Sequence, residues 1–436
     1  MTLRAWNRAL AGTALLVGPI FLAQSSQLSA QVPAAPQTGT AAIENKENKE
    51  NNENHGDGAK PAPAKAAPTH PLQFQMHQAT KRGADWLFRM NGPKGKFVPG
   101  LLVDVQQEIE QDSLIRQAIG AMALARASKT LGEERLEMRA IQAILALIEE
   151  TDLDKEEPGA RVTRAPSLIL NKLGGGAIIA LAIFELPNPT ADLLKVAEEL
   201  IDGLRRYIKA DGLFKGDGWQ PAMIDELDGP ASYPFMVIAA LARSDRFVKE
   251  SWKMETAKQA YAAYSKKWHE QKQLGCMGWL TRAGVEIYAN TKDKAVADYL
   301  FGVCDGLSGL QYDRIDPRRA GYYGGFRSWN AAGQVQEMAP AATSAAAAEA
   351  IALGWRLASD LGDPTRHAKY QECLERSLQF FATLQYVETN TKHFADWYQP
   401  KLLGGVRFAP QDGKLRIEFT AHALLAWALY LEQPLK

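Results

Sequence analysis

Cysteine is scarce in this chain: Cys276, Cys304 and Cys373 are the only three, and they are scattered. Their odd number and wide spacing match neither a zinc motif nor a disulfide framework, so buried free thiols are expected. An excess of charge of one sign is missing too. Fifty Lys and Arg stand against fifty Asp and Glu, which removes the basic face that nucleic-acid binding uses. The longest apolar run, Leu10 to Ala23, falls short of the ~20 residues that cross a bilayer comfortably. Sustained strand-type alternation is absent. So are a phosphate-binding glycine loop, a nucleotide fingerprint, a metal-ligand pair and a nucleophile elbow. No cofactor and no metal are therefore expected. What remains is a chain of 436 residues, 46% of them hydrophobic, enough to bury a large core.

The first 30 residues have the order of a secretory signal. Arg4 and Arg8 precede the apolar run, and Leu28-Ser29-Ala30 offers small residues before a cut. The expectation is a secreted or periplasmic protein with no stable membrane span after cleavage, an uncleaved anchor being the alternative. Residues 31–70 combine Pro-Ala stretches with a repeat beginning Glu44-Asn45-Lys46-Glu47-Asn48. They hold almost nothing to bury and read as a disordered, low-complexity spacer. The folded domain is expected over 71–436.

From residue 73 onward apolar residues recur at helical spacing, predicting twelve helices: 73–91, 112–130, 133–151, 167–186, 190–209, 232–244, 248–269, 276–290, 293–311, 340–361, 364–387 and 418–433. Gly132 ends the second. Asp363 and Pro364 cap and start the eleventh. Links from even to odd helices are short, whereas links from odd to even helices are mostly long. The even helices are small and apolar most of the way round, as in Gly174-Gly175-Gly176-Ala177-Ile178-Ile179 and Ala345-Ala346-Ala347-Ala348, which marks them as buried on most faces. Inner helices ringed by amphipathic outer ones make an all-α (α/α)6 toroid of six hairpins. Gly324-Gly325-Phe326-Arg327 returns as Gly404-Gly405-Val406-Arg407, each followed by a Thr near the next helix start, Thr343 and Thr420. Such a period is two helices plus one long loop.

Three stretches carry a resemblance: Asp112-Ser113-Leu114-Ile115-Arg116-Gln117-Ala118, Lys172-Leu173-Gly174-Gly175, and Arg416-Ile417-Glu418-Phe419-Thr420-Ala421-His422. Over about 73–433 the chain resembles bacterial α/α-toroid proteins, the group of terpenoid cyclases, prenyltransferase β subunits and six-hairpin glycosidases. The resemblance implies the fold and no particular activity. The acidic D-x-D-D cluster of squalene-type cyclases is missing, the nearest acidic patch being Asp225-Glu226-Leu227-Asp228. Cys304-Asp305 and His422 offer a zinc-binding prenyltransferase's residue types, but Cys304 falls on an outer helix.

In such a toroid the long links and the starts of the inner helices line a funnel, so candidates come from there. Arg116, on a small apolar helix, is either a ligand contact or an internal partner of Asp112. Asp217 and Trp219, in a glycine-flanked loop, suit a carboxylate beside a sugar-stacking ring; paired carboxylates about 5–10 Å apart serve glycoside hydrolysis. Tyr322, Tyr323, Arg327 and Trp329 interleave aromatics and cations with glycine. Glu349, in an alanine-rich helix, needs a partner or a raised pKa. Trp397 and Arg407 lie in the last loop. His422 is a candidate general acid or base, with Glu418 one turn earlier able to orient it. The catalytic candidates are thus Glu349, His422, Asp217 and Tyr323; the binding candidates are Arg116, Trp219, Tyr322, Arg327, Trp329, Trp397 and Arg407. Three readings follow. The first is an exported carbohydrate-active hydrolase, lyase or epimerase, whose ligand is an oligosaccharide or another small anion. The others are a noncatalytic glycan- or protein-binding toroid and a terpenoid cyclase-like protein.

Overall fold

A computed structural model describes residues 70–164, 169–215, 226–330 and 332–433. The signal-like segment and the spacer up to residue 69 lie outside them. Fourteen α-helices occur among the described residues: α1 (Pro71–Met90), α2 (Leu114–Leu131), α3 (Glu134–Ile148), α4 (Ile169–Glu185), α5 (Ala191–Leu204), α6 (Tyr233–Ser244), α7 (Ser251–Glu270), α8 (Met277–Thr291), α9 (Lys294–Ser308), α10 (Ser344–Asp360), α11 (Pro364–Leu384), the short α12 (Glu388–Thr391) and α13 (Gln399–Leu402), and α14 (Ile417–Leu431). Helices α2, α4, α6, α8, α10 and α14 touch one another in turn, and α14 returns to α2, closing an inner ring. Helices α1, α3, α5, α7, α9 and α11 pack outside it. The protein is an (α/α)6 toroid, as the alternation of link lengths requires.

Local chemistry sets the helix ends. The Ser113 hydroxyl accepts from the Arg116 N–H at 3.1 Å, and Asp363 does the same for Arg366 at 3.0 Å, each satisfying a donor that the first turn leaves open. Gly132 ends α2 at φ 70°. The triple glycine of α4 makes room for neighbours. A Cβ on Gly174 would lie 2.9 Å from the Tyr233 ring, and one on Gly175 2.7 Å from Leu114.

Short strands, which the sequence pattern does not announce, stitch the long links. They are β1 (Gly100–Leu102), β2 (Gln107–Glu108), β3 (Thr151–Leu153), β4 (Arg161–Thr163), β5 (Ser328–Trp329), β6 (Val335–Gln336), β7 (Arg407–Ala409) and β8 (Asp412–Arg416). An antiparallel sheet in the order β2-β1-β8-β7 joins the first long link to the last, with Gly100 opposite Arg416 and Leu101 opposite Leu415. β3 pairs with β4, and β5 with β6. Two to five residues are too few for alternation to stand out.

The diglycine repeat is structural. The Gln311 amide donates to the Gly324 carbonyl at 3.1 Å and accepts from Arg376 Nε of α11. Gln385 donates to the Gly404 carbonyl at 3.0 Å and accepts from Arg82 Nε of α1. Gly324 and Gly404 sit at φ 86° and 93°, where a Cβ would overlap the carbonyl oxygens of Arg376 and Arg82. The hydroxyls that follow differ from the expected pair. Thr420 accepts from the Val406 N–H at 2.9 Å, but its counterpart is Ser344, which accepts from Phe326 N–H, and not Thr343. One step along a helix turns a side chain by about 100°, so only one of the two adjacent residues can reach the loop.

Gly404→Ala is expected to cost at least about 1–3 kcal/mol through strain and overlap. Gly362→Ala, at φ 66° with nothing nearby, bears only the left-handed backbone strain of about 1–2 kcal/mol and should lose less than Gly404→Ala, which adds the overlap. Urea unfolding of the two variants compares them, and equal losses would show that the loop does not press on α1.

Candidate functional site

The long links gather at the N-terminal ends of the inner helices, where four of those helices and one turn bring charged groups together. Helix α14 presents Glu418 and His422, α10 presents Glu349, α8 presents Trp279 and Arg282, and α2 presents Arg116. Asp228 comes from the turn before α6, with backbone in the left-handed region at φ 55°, a conformation that Asp tolerates better than most side chains. Glu349, Arg282 and His422 each occupy the sixth position of their helix, about one and a half turns below the rim.

His422 is the hub. Its Nε2–H donates to both Asp228 oxygens at 3.0 and 3.1 Å, and its Nδ1–H donates to Glu349 Oε1. Trp279 Nε1–H donates to Asp228 Oδ1 at 2.8 Å, and Arg282 Nη2 donates to Glu349 Oε2 at 3.3 Å. The Arg282 guanidinium also lies 5.7 Å from the Trp279 ring centre. Burial by itself would lower the His422 pKa, but Asp228 and Glu349 outweigh it and hold the group well above its ordinary value. His422 is therefore an imidazolium with both N–H groups committed.

Glu418 belongs to a second cluster. It is bound by Arg116 Nε at 2.9 Å and by Arg416 Nη2 at 2.5 Å. Burial raises its pKa, and the two arginines offset only part of the rise. Tyr233 next to the turn is pushed up to about 12, by burial first and then by Asp228 and Glu226. Further down the ring Arg126 bridges Glu185 and Glu432. Burial there favours protonated Glu185, but Arg126, Arg243 and Arg282 prevail and hold it at about 2. Ion pairs thus line the ring from mouth to base.

The candidates fall in different places. Glu349 and His422 meet directly, whereas Arg116 belongs to the neighbouring Glu418 cluster. The partner expected for Arg116 is not the one found: Asp112 accepts from the Gln117 amide instead, at 2.8 Å. Nor does Glu418 orient His422. The one-turn spacing brings the two near, but the arginines claim the carboxylate. Tyr322 and Arg327 belong to a rim cluster in which Arg327 and Arg319 hold Glu337 at 2.8 and 3.1 Å, and the Tyr312 ring packs on both Tyr322 and Arg327. Tyr323 is half-buried beside them. Trp329 packs outward, on Trp268 of α7. Trp397 is 62% exposed. Arg407 donates to the Thr383 carbonyl at 3.3 Å. Asp217 and Trp219 lie outside the described residues. Asp228 and Arg282 complete the cluster, although neither was among the candidate site residues. The signal for Asp228 was its acidic turn just before a helix; Arg282, charged within a helix start rich in apolar residues, carried the same cue as Arg116. Cys304 and Asp305 sit on α9 beside Tyr370 and Lys369, not with His422. No group of three or more His, Cys, Asp or Glu among the described residues is arranged to hold a metal ion, and no described helix is long and apolar enough to cross a membrane.

No family model matches the chain, and no curated protein sequence is similar to it. Solved structures do match in fold. An unsaturated glucuronyl hydrolase specific for heparin superposes with a TM-score of 0.58 at 12% identity, over 82% of this chain and 97% of that one. A cellobiose 2-epimerase from Bacillus thermoamylovorans gives 0.58 at 11%, covering 83% and 98%. An α-1,6-mannanase of Salegentibacter sp., in complex with α-1,6-mannotriose, gives 0.55 at 10%, covering 82% and 99%. The fold is that of the six-hairpin glycosidase-like α/α toroids.

His422→Ala leaves Asp228 buried without its cation and Glu349 with Arg282 alone, and should cost about 3–5 kcal/mol; Arg327→Ala, at the exposed Glu337 pair, should cost about 0–1 kcal/mol. The pH dependence has a definite sign. A His whose pKa is raised on folding gives its full stabilisation below about 6.5, the unfolded value, and loses it as pH climbs toward the folded value. Denaturation midpoints measured from pH 6 upward should fall in the parent and fall less in His422→Gln; parallel curves would refute a buried imidazolium.

Proposed function

We propose that the chain is an exported carbohydrate-active enzyme that works at the mouth of its inner ring by moving a proton to or from a sugar. The observation that carries this reading is the Asp228–His422–Glu349 chain set among the inner-helix N-termini, with Glu418 beside it. Asp228 is 9% exposed, whereas Glu349, His422 and Glu418 are 2%, 1% and 3%, so Asp228 is the carboxylate that a ligand meets first. His422 holds it in place and is not free to act as a base. Glu418 keeps its proton to higher pH than an ordinary glutamate and can serve as the acid. Hydrolysis, elimination and epimerisation of sugars all need such a pair. The glucuronyl hydrolase, epimerase and mannanase that share the fold give the sugar its support, and the signal-like N-terminus supports action outside the cytoplasm. A charged mouth does not suit a hydrocarbon chain, which weighs against a terpenoid substrate.

One observation favours a noncatalytic glycan-binding toroid as the second reading: Glu349 and Glu418 are each already held by two cations. Incubating the purified protein with neutral and uronate-containing oligosaccharides, and following products by NMR, separates the two. The enzyme reading expects product from the parent and a loss of about 10²–10⁴-fold in Asp228→Asn, with ligand affinity changed only a few-fold. Thermal stabilisation by a glycan without product would establish a binding module instead.

A further inference from the structure

Two glycines of α9 have no packing reason to be there. Gly302 lies mid-helix and Gly306 in its last turn, and a Cβ built on either meets nothing within 4 Å. Glycine is a poor helix residue, and other glycines inside these helices answer to close neighbours: Gly174 to Tyr233, Gly284 to Leu300 and Tyr261, Gly120 to Ile417 and Phe97. At Gly302 and Gly306 the missing side chains leave a cleft open between α9 and α7.

The walls of that cleft are aromatic. Trp268 of α7 meets Trp329 edge to face, with ring centres 5.9 Å apart at 81°, and His269 meets Tyr299 in the same way at 5.6 Å. The glycines form the floor, and the cavity holds about 280 Å³. That is the lower end of small-ligand sites, the size for a single ring rather than a long chain. Lys272 stands over Trp329, 5.7 Å from its centre. No carboxylate lines the cleft, and among the described residues neither Lys272 nor His269 has a carboxylate partner.

We propose that this cleft is a second glycan-binding site, separate from the funnel, which takes one ring of an acidic oligosaccharide. The apolar C–H face of a pyranose lies against Trp329 and Tyr299, as sugars do on aromatic surfaces, and the ring's carboxylate or sulfate meets Lys272, with His269 beside it as a further hydrogen-bonding group. The glycine floor lets the ring sit against the helix backbone. The site tethers a polymer on the outer wall while another part of it reaches the mouth, which raises the local concentration of chain ends there. It stands whether or not the funnel turns substrate over.

The test uses the full-length protein carrying Asp228→Asn, so that any turnover is removed, and measures binding of an oligouronate and of a neutral oligosaccharide of equal length by calorimetry. Gly302→Leu is compared with Trp329→Ala and Lys272→Gln. Gly302→Leu is the decisive variant, because it fills the cleft and improves helix propensity. Its Tm should rise by about 2 °C, while oligouronate affinity falls at least about tenfold. Trp329→Ala should lose a similar factor, and Lys272→Gln should lose affinity for the oligouronate only. Unchanged oligouronate affinity in Gly302→Leu would overturn the proposal, and so would equal binding of the neutral sugar with no effect of Lys272→Gln. Loss of funnel turnover in the parent protein, with cleft binding intact, would remove the enzyme reading and leave this one standing.

Discussion

Charges enclosed in a ring of tightly packed helices must be balanced inside the ring, and this constraint organises the centre of the protein. The inner helices are lined largely by alanine, glycine and aliphatic residues, so the few polar side chains they carry toward the axis have no water to turn to. Each of the charged ones named here finds an opposite. His422 lies between Asp228 and Glu349, Arg282 reaches Glu349, Arg126 spans Glu185 and Glu432, and Arg243 takes Glu286. These pairs cross from one helix to another or, at Asp228, to the turn before α6. They therefore fix how neighbouring helices are rotated as well as how they are charged.

Balance at the mouth has a chemical side. A histidine with both nitrogens engaged cannot accept a proton, so its part is to hold Asp228 at one place and in one orientation. Helix α8 contributes to both ends of that arrangement, Trp279 at Asp228 and Arg282 at Glu349. Glu418 is different: two arginines accompany it, yet burial still keeps it more protonated than a surface glutamate. Two carboxylates in one mouth, one set by hydrogen bonds and the other by burial, are a suitable starting point for acid–base work.

The helices and the ring were legible because their signals repeat. Small apolar helices alternate with amphipathic ones through six hairpins, and short links alternate with long ones everywhere except at the short link before α8. Glu349 and His422 were legible for the opposite reason, as isolated polar residues on helices that have almost none. The contacts that join them were not. Asp228 and His422 are 194 positions apart, and the spacing along one chain says nothing about which distant turn will sit over which helix. Glu418 shows the trap in local reasoning. It lies one turn from His422, yet the stronger partners come from α2 and from the end of β8. The choice of Ser344 over Thr343 was hidden for a similar reason, since it depends on the rotation of α10 about its own axis.

The seam between β1 and β8 gives assembly an order. Residues around 100 and 415 pair there, and α14 fills the gap between α10 and α2. As the chain leaves the ribosome, five of the six hairpins can form and stack locally, but the ring stays an open arc until the last helix arrives. Until then α1 and α2 show apolar flanks, and Glu349 and Asp228 wait for a histidine not yet made. A nascent toroid of this kind is exposed at both ends of its arc, and chaperones or partner chains have their longest opportunity to hold it just before the final helix closes it.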